Sequence, residues 1–176
     1  MEKTLTRPHI INEPAKFVLL SLLGCSLITL CAFIKIPFYP VPFTLQTLAI
    51  TFIALTQSPK QAFASVICYL LCGTLGLPVF TSGANCLWMI GKNGGYLLAF
   101  PLAAYLMSKL NQKGHPIPGL LCGQALIYLL GFLWLTPFLG ATIAFTKGVA
   151  FFIPSDLLKN LAALGLATSL KKWSQR

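Results

Sequence analysis

The chain has 176 residues, of which 56% are hydrophobic and only 9% are charged. Soluble domains carry about 25% charged residues, so this composition excludes a soluble globular protein and indicates an integral membrane protein embedded in a lipid bilayer. The formal net charge is +10, but the basic residues are scattered singly between apolar runs. This pattern lacks the basic stripe or arm of a nucleic-acid-binding protein.

The apolar runs predict an all-α fold with six membrane-spanning helices. The predicted spans cover approximately residues 17–36, 43–56, 61–77, 96–110, 119–138 and 154–170. Each span needs about 20 residues, so six of them leave no room for a separate soluble domain. Residues 17–170 are therefore predicted to form one six-helix bundle, after a polar surface segment at 1–16 and before a basic tail at 171–176.

Three segments interrupt the apolar pattern. The first loop, Pro37-Phe-Tyr-Pro-Val-Pro42, contains three prolines in six residues and cannot form a regular helix. Residues 78–95 are too irregular and too long for a simple connector, and such loops are usually functional. Residues 140–153 are apolar but rich in small side chains, and are interpreted as an outer loop or a half-helix packed on protein. Within span five, Gly119 and Gly123 form a small-residue face suited to close helix packing.

The distribution of basic residues predicts the orientation in the membrane. Nine basic residues lie at the termini and in the even-numbered loops: Lys3, Arg7, Lys16, Lys60, Lys109, Lys113, Lys171, Lys172 and Arg176. Three lie in the odd-numbered loops: Lys35, Lys92 and Lys147. Because cytoplasmic loops carry the excess of lysine and arginine, both termini are predicted to be cytoplasmic. The proline-rich loop, residues 78–95 and the start of span six then share the outer side of the cell membrane.

A charged pair in the last span is the most informative feature of the sequence. After Glu13, Asp156 is the only acidic residue, and Lys159 follows it three positions later in the apolar run 151–167. Residues three apart share one face of a helix. An ionisable side chain at membrane depth costs about 2.5–3.5 kcal/mol on insertion scales, so such a pair needs a partner or a task. The pair predicts the polar centre of a binding cavity, or alternatively a structural ion pair.

Neighbouring residues can complete such a cavity. Ser155 is expected to cap the last helix, whose dipole favours the ionised form of Asp156. Further candidates for ligand binding lie on the predicted outer side: Tyr39, Thr44, Gln46, Asn85, Trp88, Lys92, Asn93 and Tyr96. The aromatic side chains can cover an apolar ligand or lie at the membrane interface. Thr44 and Gln46 can face the cavity or bond to another helix, and the lysine and asparagine after Gly91 can reach a ligand carboxylate or stay solvated.

Groups suited to catalysis are sparse. The two histidines, His9 and His115, fall in the N-terminal segment and a predicted cytoplasmic loop, away from Asp156. The phosphate-binding pattern Gly-x-x-x-x-Gly-Lys-Ser/Thr is absent, so active transport must draw its energy from another protein. The six cysteines fall mostly inside apolar runs and are interpreted as small buried hydrophobic residues in preference to metal ligands or disulfide partners. We therefore predict no enzyme, no cofactor and no metal.

Four motifs resemble the BioY family, which contains the biotin-binding S components of energy-coupling factor (ECF) transporters. They occur in order between residues 17 and about 170: Ile36-Pro37 with Pro40-Val-Pro-Phe-Thr-Leu-Gln-Thr-Leu48, Gly76-Leu-Pro-Val-Phe80, Gly94-Gly-Tyr-Leu97 with Phe100, and Ile153-Pro-Ser-Asp-Leu-Leu-Lys159. The resemblance implies a six-helix membrane bundle that binds biotin from outside, with the first loop as a lid. It also implies a transmembrane T component and two ATPase subunits as partners.

The resemblance assigns roles to particular residues. It implies that Asp156 and Lys159 face the vitamin, with help from the loop before Gly94. Biotin has a ureido ring with two N–H donors and one carbonyl, an apolar sulfur ring and a carboxylate tail. Asp156 is expected to accept a ureido N–H, Lys159 to bind the carbonyl or Asp156, and Lys92 or Asn93 to bind the tail. The chain departs from the family where Gly91-Lys92-Asn93 replaces Gly-Pro-Thr and Pro154-Ser155-Asp156 replaces Pro-Gly-Asp.

Four alternatives to this reading remain. The chain can be an S component for another small vitamin, a stand-alone biotin transporter, a small membrane enzyme or a structural scaffold. An enzyme would need a catalytic cluster, and a scaffold predicts that apolar residues can replace Asp156 and Lys159 without loss of function.

Overall fold

The computed structural model describes residues 13–174, and most of these residues lie in helices. The helices are α1 (Glu13–Phe33), α2 (Gln46–Thr56), α3 (Pro59–Thr74), α4 (Gly94–Gln112), α5 (Pro116–Leu139), α6 (Ala141–Phe145) and α7 (Ile153–Ser174). A π-helical segment, Thr146–Ala150, follows α6, and a short 3-10 turn, Trp88–Ile90, lies in the loop before α4. Two short strands, β1 (Lys35–Ile36) and β2 (Phe43–Thr44), pair in antiparallel fashion.

The hydrophobicity of the helices identifies a membrane protein. Three segments are long and apolar enough to cross a bilayer: Glu13–Phe33, Pro116–Leu139 and Ala141–Trp173. Their outward faces carry large exposed apolar side chains, such as Leu30, Leu133 and Leu161. Lipid tails solvate such side chains as well as a protein core does, so these faces need no further cover. The prediction of a helical membrane protein is confirmed.

The first loop explains why two helix ends differ from those predicted. Lys35 pairs with Thr44 and Ile36 with Phe43 across the β1–β2 hairpin. These four residues are extended, so α1 ends at Phe33 and α2 begins only at Gln46. The predicted spans continue into this hairpin, because Ile36 and Phe43 extend the apolar runs on either side of the proline-rich segment.

The predicted terminal segments overlap helices. The helix α1 begins at Glu13, within the predicted surface segment, and Pro14 near its start suits a helix that begins there. The helix α7 continues to Ser174, so Lys171 and Lys172 lie in its last turn, where cations interact favourably with the helix dipole. Residues 1–12 and 175–176 of the predicted segments lie outside the described residues.

Close packing of α4 on α5 depends on glycines. A Cβ atom on Gly95 would lie 2.2 Å from Cβ of Trp134, and one on Gly131 would lie 2.1 Å from the ring of Tyr96. At the other end of the interface, a Cβ atom on Gly123 would meet Met107 at 2.4 Å. The expectation that span five packs closely through small residues is confirmed at this interface. This packing fixes the start of α4, where the loop 78–95 ends.

Candidate functional site

A cavity opens between the first loop and the helices α2, α4, α5 and α7. It contains about 620 Å³ of empty space, which includes the open solvent at its mouth. Its apolar wall includes Val41, Phe80, Leu97, Phe100, Ile127 and Phe152. Its polar wall includes Thr44, Gln46, Thr47, Asn93, Tyr128, Asp156 and Lys159. A mostly apolar cavity with a few convergent polar groups suits a small amphipathic ligand.

The predicted charged pair lies in this cavity wall. Nζ of Lys159 is 2.8 Å from Oδ1 of Asp156, and the side chains of both residues are buried. Asp156 is in the first turn of α7, where the positive end of the helix dipole stabilises a carboxylate. The two alternatives proposed from the sequence coexist here, because the residues form an ion pair and also line the cavity.

Asp156 accepts hydrogen bonds from four side chains. Its Oδ1 atom accepts from Lys159 and, at 2.9 Å, from the Thr47 hydroxyl on α2. Its Oδ2 atom accepts from Nε2 of Gln124 at 2.9 Å and from the Tyr128 hydroxyl at 2.8 Å, both on α5. A carboxylate has about four acceptor positions, so the four donors fill them. The carboxylate therefore joins α2, α5 and α7 at one point.

Sequence reasoning missed three of these partners: Thr47, Gln124 and Tyr128. A signal for two of them was present, because Gln124 and Tyr128 are polar residues four positions apart in an otherwise apolar helix. Such residues share a helix face. The sequence could not show that this face meets Asp156, because local spacing says nothing about which helices pack together.

The ammonium group of Lys159 has three neighbours. Besides Asp156, it donates to the Thr47 hydroxyl at 3.3 Å and lies 4.2 Å from the ring centre of Phe43. A cation over an aromatic face is attracted by the ring's quadrupole. The carboxylate and the ring thus stabilise a charge that is otherwise costly in an apolar surrounding.

A second polar contact lies one helical turn deeper. The Thr51 hydroxyl on α2 donates to Oδ1 of Asn160 on α7 at 2.8 Å, and both residues are buried. Thr51 follows Thr47 by four positions, as Asn160 follows Asp156. The two pairs therefore fix the register of α2 against α7, although the deeper pair lies outside the cavity wall.

Thr44 and Gln46 line the cavity and also have protein partners. The Thr44 hydroxyl donates to Oε1 of Gln46 at 3.1 Å. Nε2 of Gln46 donates to the hydroxyl of Tyr69 on α3 at 2.6 Å. The two residues thus combine the two roles that the sequence left open, since they face the cavity and connect α2 to α3.

Lys92 and Tyr39 contact each other beside the mouth of the cavity. Nζ of Lys92 donates to the Tyr39 hydroxyl at 2.7 Å, and both residues lie outside the wall of the main cavity. Lys35 makes a second contact of this kind, by donating to the carbonyl oxygen of Thr81. Tyr39 lies instead in a shallower depression that also includes Asn93. These bonds connect the first loop to the loop before α4.

Aromatic rings hold the first loop on its other side. Phe38 stacks on Phe151 with ring centres 4.3 Å apart, and Phe43 packs on Phe152 at 5.7 Å. Phe151 and Phe152 precede α7 directly. The first loop is therefore fastened to the start of the helix that carries Asp156.

The structure places two predicted contact residues, Trp88 and Asn85, outside the cavity. Trp88 is buried beside Phe80 and donates to the Thr74 hydroxyl at 3.0 Å, while Oδ1 of Asn85 accepts from the backbone of Leu87. Both residues lie outside the cavity wall, and their bonds attach the loop to the end of α3 and stabilise its own backbone.

Ser155 does not cap α7, since its hydroxyl donates to the carbonyl of Phe152 at 2.9 Å. Tyr96 does line the cavity, but its hydroxyl donates to the carbonyl of Gly148 at 2.9 Å. Asn93 also lines the cavity, and its buried Oδ1 has no partner among the described residues.

Three cysteines meet away from the cavity. The sulfur atoms of Cys25 on α1 and of Cys68 and Cys72 on α3 lie within 4.8 Å of one another. Cys25 belongs to the hydrophobic core, and the other two pack against it. Their spacing would also allow a metal ion, so the interpretation of these three residues as small apolar side chains stays a prediction. The expected burial is wrong for Cys86 and Cys122, which are exposed.

Comparison with known proteins identifies the family. The sequence model of the BioY family matches residues 2–176. The chain belongs to the BioY family. A probable biotin transporter BioY of Pyrococcus horikoshii is 35% identical over 158 residues, which cover 89% of this chain and 97% of the relative. The biotin transporter BioY of Thermotoga maritima is 36% identical over 155 residues, which cover 84% of this chain and 90% of the relative.

A solved structure shares the fold of this BioY protein. It is the crystal structure of the S-component for biotin from an ECF-type ABC transporter. The TM-score is 0.81 at 26% sequence identity, and the match covers 94% of this chain and 95% of the other. The resemblance to the BioY family that the motifs indicated is confirmed.

Proposed function

We propose that this protein takes up biotin by binding it in the cavity around Asp156 and Lys159, as the substrate-capture component of an ECF-type transporter. The observation that carries the proposal is the buried ion pair at the polar end of an apolar cavity, in a chain of the BioY family. The family consists of transporters, which supports transport and not catalysis. The chain has no nucleotide-binding motif, so ATPase subunits and a transmembrane T component are the proposed partners.

The chemistry of the cavity suits the two fused rings of biotin. Lys159 offers a charged donor for the ureido carbonyl, and the rings of Phe80, Phe100 and Phe152 form an apolar surface for the sulfur ring. A direct bond from a ureido N–H to Asp156 would require biotin to displace one of the four protein donors. We therefore propose that Asp156 acts mainly through the side chains that it holds.

The same chemistry sets the orientation of the ligand. If the tail of biotin pointed inward, its carboxylate would lie near the buried carboxylate of Asp156, and like charges repel strongly where water is excluded. The tail is instead proposed to lie near the outer mouth, where the amide nitrogen of Asn93 supplies a donor. Lys92 is proposed to act on the loops, because its ammonium group is bonded to Tyr39.

The proposed arrangement in the membrane is one multi-pass domain with six spans and cytoplasmic termini. The spans are α1, α2, α3, α4, α5 and the continuous segment from α6 to α7. The excess of basic residues in the even-numbered loops supports this orientation. Lys60 at the start of α3 and Lys109 in the last turn of α4 lie in the helix ends that connect through those loops. The cavity then opens to the outside of the cell membrane.

Binding of radiolabelled biotin to the purified protein tests this function. We expect saturable binding that excess unlabelled biotin abolishes and that other small vitamins do not. Tighter competition by another vitamin would assign the protein to that substrate. Binding followed by uptake in cells that lack ATPase partners would support stand-alone transport.

A further inference from the structure

The direction of one hydrogen bond determines what Tyr128 can offer to a ligand. The Tyr128 hydroxyl is 2.8 Å from Oδ2 of Asp156, and its side chain lines the cavity. An ionised carboxylate only accepts hydrogen bonds, so the tyrosine must donate its one proton to it. The hydroxyl oxygen then has only acceptor positions left for other partners.

We infer that the Tyr128 oxygen accepts a hydrogen bond from an N–H group of the ligand. The inference rests on the proposed function, in which this N–H belongs to the ureido ring of biotin. The two threonine hydroxyls of the wall nearest to Asp156 and Gln46 are less suited to the task. Thr47 also donates to Asp156, but its oxygen already accepts from Lys159, and Thr44 already accepts from the backbone of Gln46.

Asp156 and Gln124 act as positioning residues for this acceptor. Nε2 of Gln124 donates to the same Oδ2 atom at 2.9 Å from one helical turn earlier on α5. Gln124 is buried but lies outside the cavity wall. The amide therefore restrains the carboxylate, and the carboxylate sets the direction of the tyrosine hydroxyl. A ligand that lacks a donor at this place leaves a buried acceptor without a partner, which reduces its affinity.

A cycle of protein and ligand variants tests the inference. The ligands are biotin and two analogues that each carry a methyl group on one of the two ureido nitrogens. The variant Tyr128→Phe removes the hydroxyl and keeps the ring. The matched control Gln124→Met removes the other donor to the same carboxylate oxygen without touching the cavity wall.

We expect Tyr128→Phe to weaken biotin binding by about three- to tenfold, as the loss of one hydrogen bond predicts. The same variant should reduce the affinity for the analogue methylated at the nitrogen that faces Tyr128 by less than about twofold, because this analogue already lacks that hydrogen bond. Gln124→Met keeps the Tyr128 hydroxyl and loosens a carboxylate that also holds Thr47 and Lys159, so it should weaken the binding of all three ligands by a similar factor. An equal loss for biotin and both analogues in Tyr128→Phe would overturn the inference.

A second variant and the unaltered protein separate the possible failures. If Tyr128→Phe does not elute as a folded protein in size-exclusion chromatography, Tyr128→Leu replaces it, since leucine also lacks the hydroxyl. Tyr128→Leu must then weaken biotin more than the analogue that is methylated at the nitrogen facing residue 128. If the unaltered protein binds no biotin, the proposed function fails and this inference fails with it. If it binds biotin and neither variant distinguishes the analogues, only the role of Tyr128 is refuted.

Discussion

One carboxylate organises the polar end of the cavity. The Asp156 carboxylate accepts hydrogen bonds from Thr47 on α2, from Gln124 and Tyr128 on α5, and from Lys159 on its own helix. Breaking a buried ion pair by removing one partner is costly, because the other charge stays buried without compensation. The ligand site is therefore more sensitive to Asp156 than to any single group that it holds.

We predict that Asp156→Asn lowers the affinity for biotin by about a hundredfold or more while membrane insertion is retained. The asparagine keeps the volume, removes the charge and turns one acceptor into a donor that faces other donors. Equilibrium binding of radiolabelled biotin to the purified variant measures the effect. An affinity close to that of the unaltered protein would contradict the role given to Asp156.

Thr51→Val is the matched control. It removes the buried bond to Asn160 one turn deeper, outside the cavity wall. The loss of one buried hydrogen bond should reduce the free energy of unfolding by about 1–3 kcal/mol. It should leave the biotin affinity unchanged within about threefold. This pair of variants separates damage to the site from damage to the α2–α7 interface.

The sequence predicted part of this arrangement. Asp156 and Lys159 could be found because they are charged, three positions apart and surrounded by apolar residues. Their partners on α2 and α5 could not, because Thr47 and Gln124 are ordinary polar residues whose significance depends on tertiary packing. Trp88 and Asn85 were predicted to bind ligand because they lie in an irregular loop, but Trp88 donates to Thr74 at the end of α3 and Asn85 accepts from the backbone of its own loop.

The first loop and the loop before α4 form the outer cover of the cavity. The Lys92–Tyr39 bond and the Lys35–Thr81 bond join them on one side, and stacked phenylalanines hold the first loop to the start of α7. Loops that cover a site commonly control how fast the ligand leaves. Interactions between loops should therefore affect dissociation more than association.

We predict that Lys92→Ala accelerates biotin dissociation about two- to fivefold, because it removes one partly exposed bond between the loops. Tyr39→Phe removes the same bond from the other side and should have a similar effect. The double variant should show no further acceleration, which stopped-flow chase experiments can measure.

An uncharged biotin amide distinguishes this role from direct contact with the ligand. If Lys92 acts on the loops, Lys92→Ala should accelerate release of biotin and of the amide equally. An effect on biotin that disappears with the amide would instead place Lys92 at the carboxylate tail.

The α4–α5 interface gives a prediction for helix packing. Gly95→Ala places a Cβ atom 2.2 Å from Trp134 and 2.6 Å from the carbonyl oxygen of Leu130. Because backbone and a bulky side chain must both move, we expect a loss of about 1–3 kcal/mol in stability. A thermal-shift assay in detergent measures the change.

Gly165→Ala on α7 is the control for this variant, because a Cβ atom there meets nothing within 4 Å. It should be neutral or stabilising by up to about 1 kcal/mol, since alanine favours helix more than glycine does. Equal behaviour of the two variants would refute the packing argument for Gly95.

At the scale of the whole molecule, composition was sufficient to predict a helical membrane protein. The order and approximate position of the helices followed from the apolar runs. The strand pairing of Lys35–Ile36 with Phe43–Thr44 and the π-helical segment Thr146–Ala150 could not be predicted, because residue type alone determines neither strand pairing nor a π-helical bond pattern.

The orientation of the molecule gives a further prediction. Single cysteines introduced near Lys92 and Lys147, in a background without the native six, should react with a membrane-impermeant maleimide in intact cells. Cysteines near Lys60 and Lys113 should react only after the membrane is opened, because the excess of basic residues assigns their loops to the cytoplasm. The reverse pattern would refute both the orientation and the outward opening of the cavity.

An experimental structure of the protein with biotin bound tests the central claim most directly. We predict that the ureido ring lies beside Lys159 and Tyr128, that the tail points towards Asn93, and that Asp156 keeps its four protein donors. Biotin bound outside this cavity, or with its carboxylate on Lys159, would contradict the account.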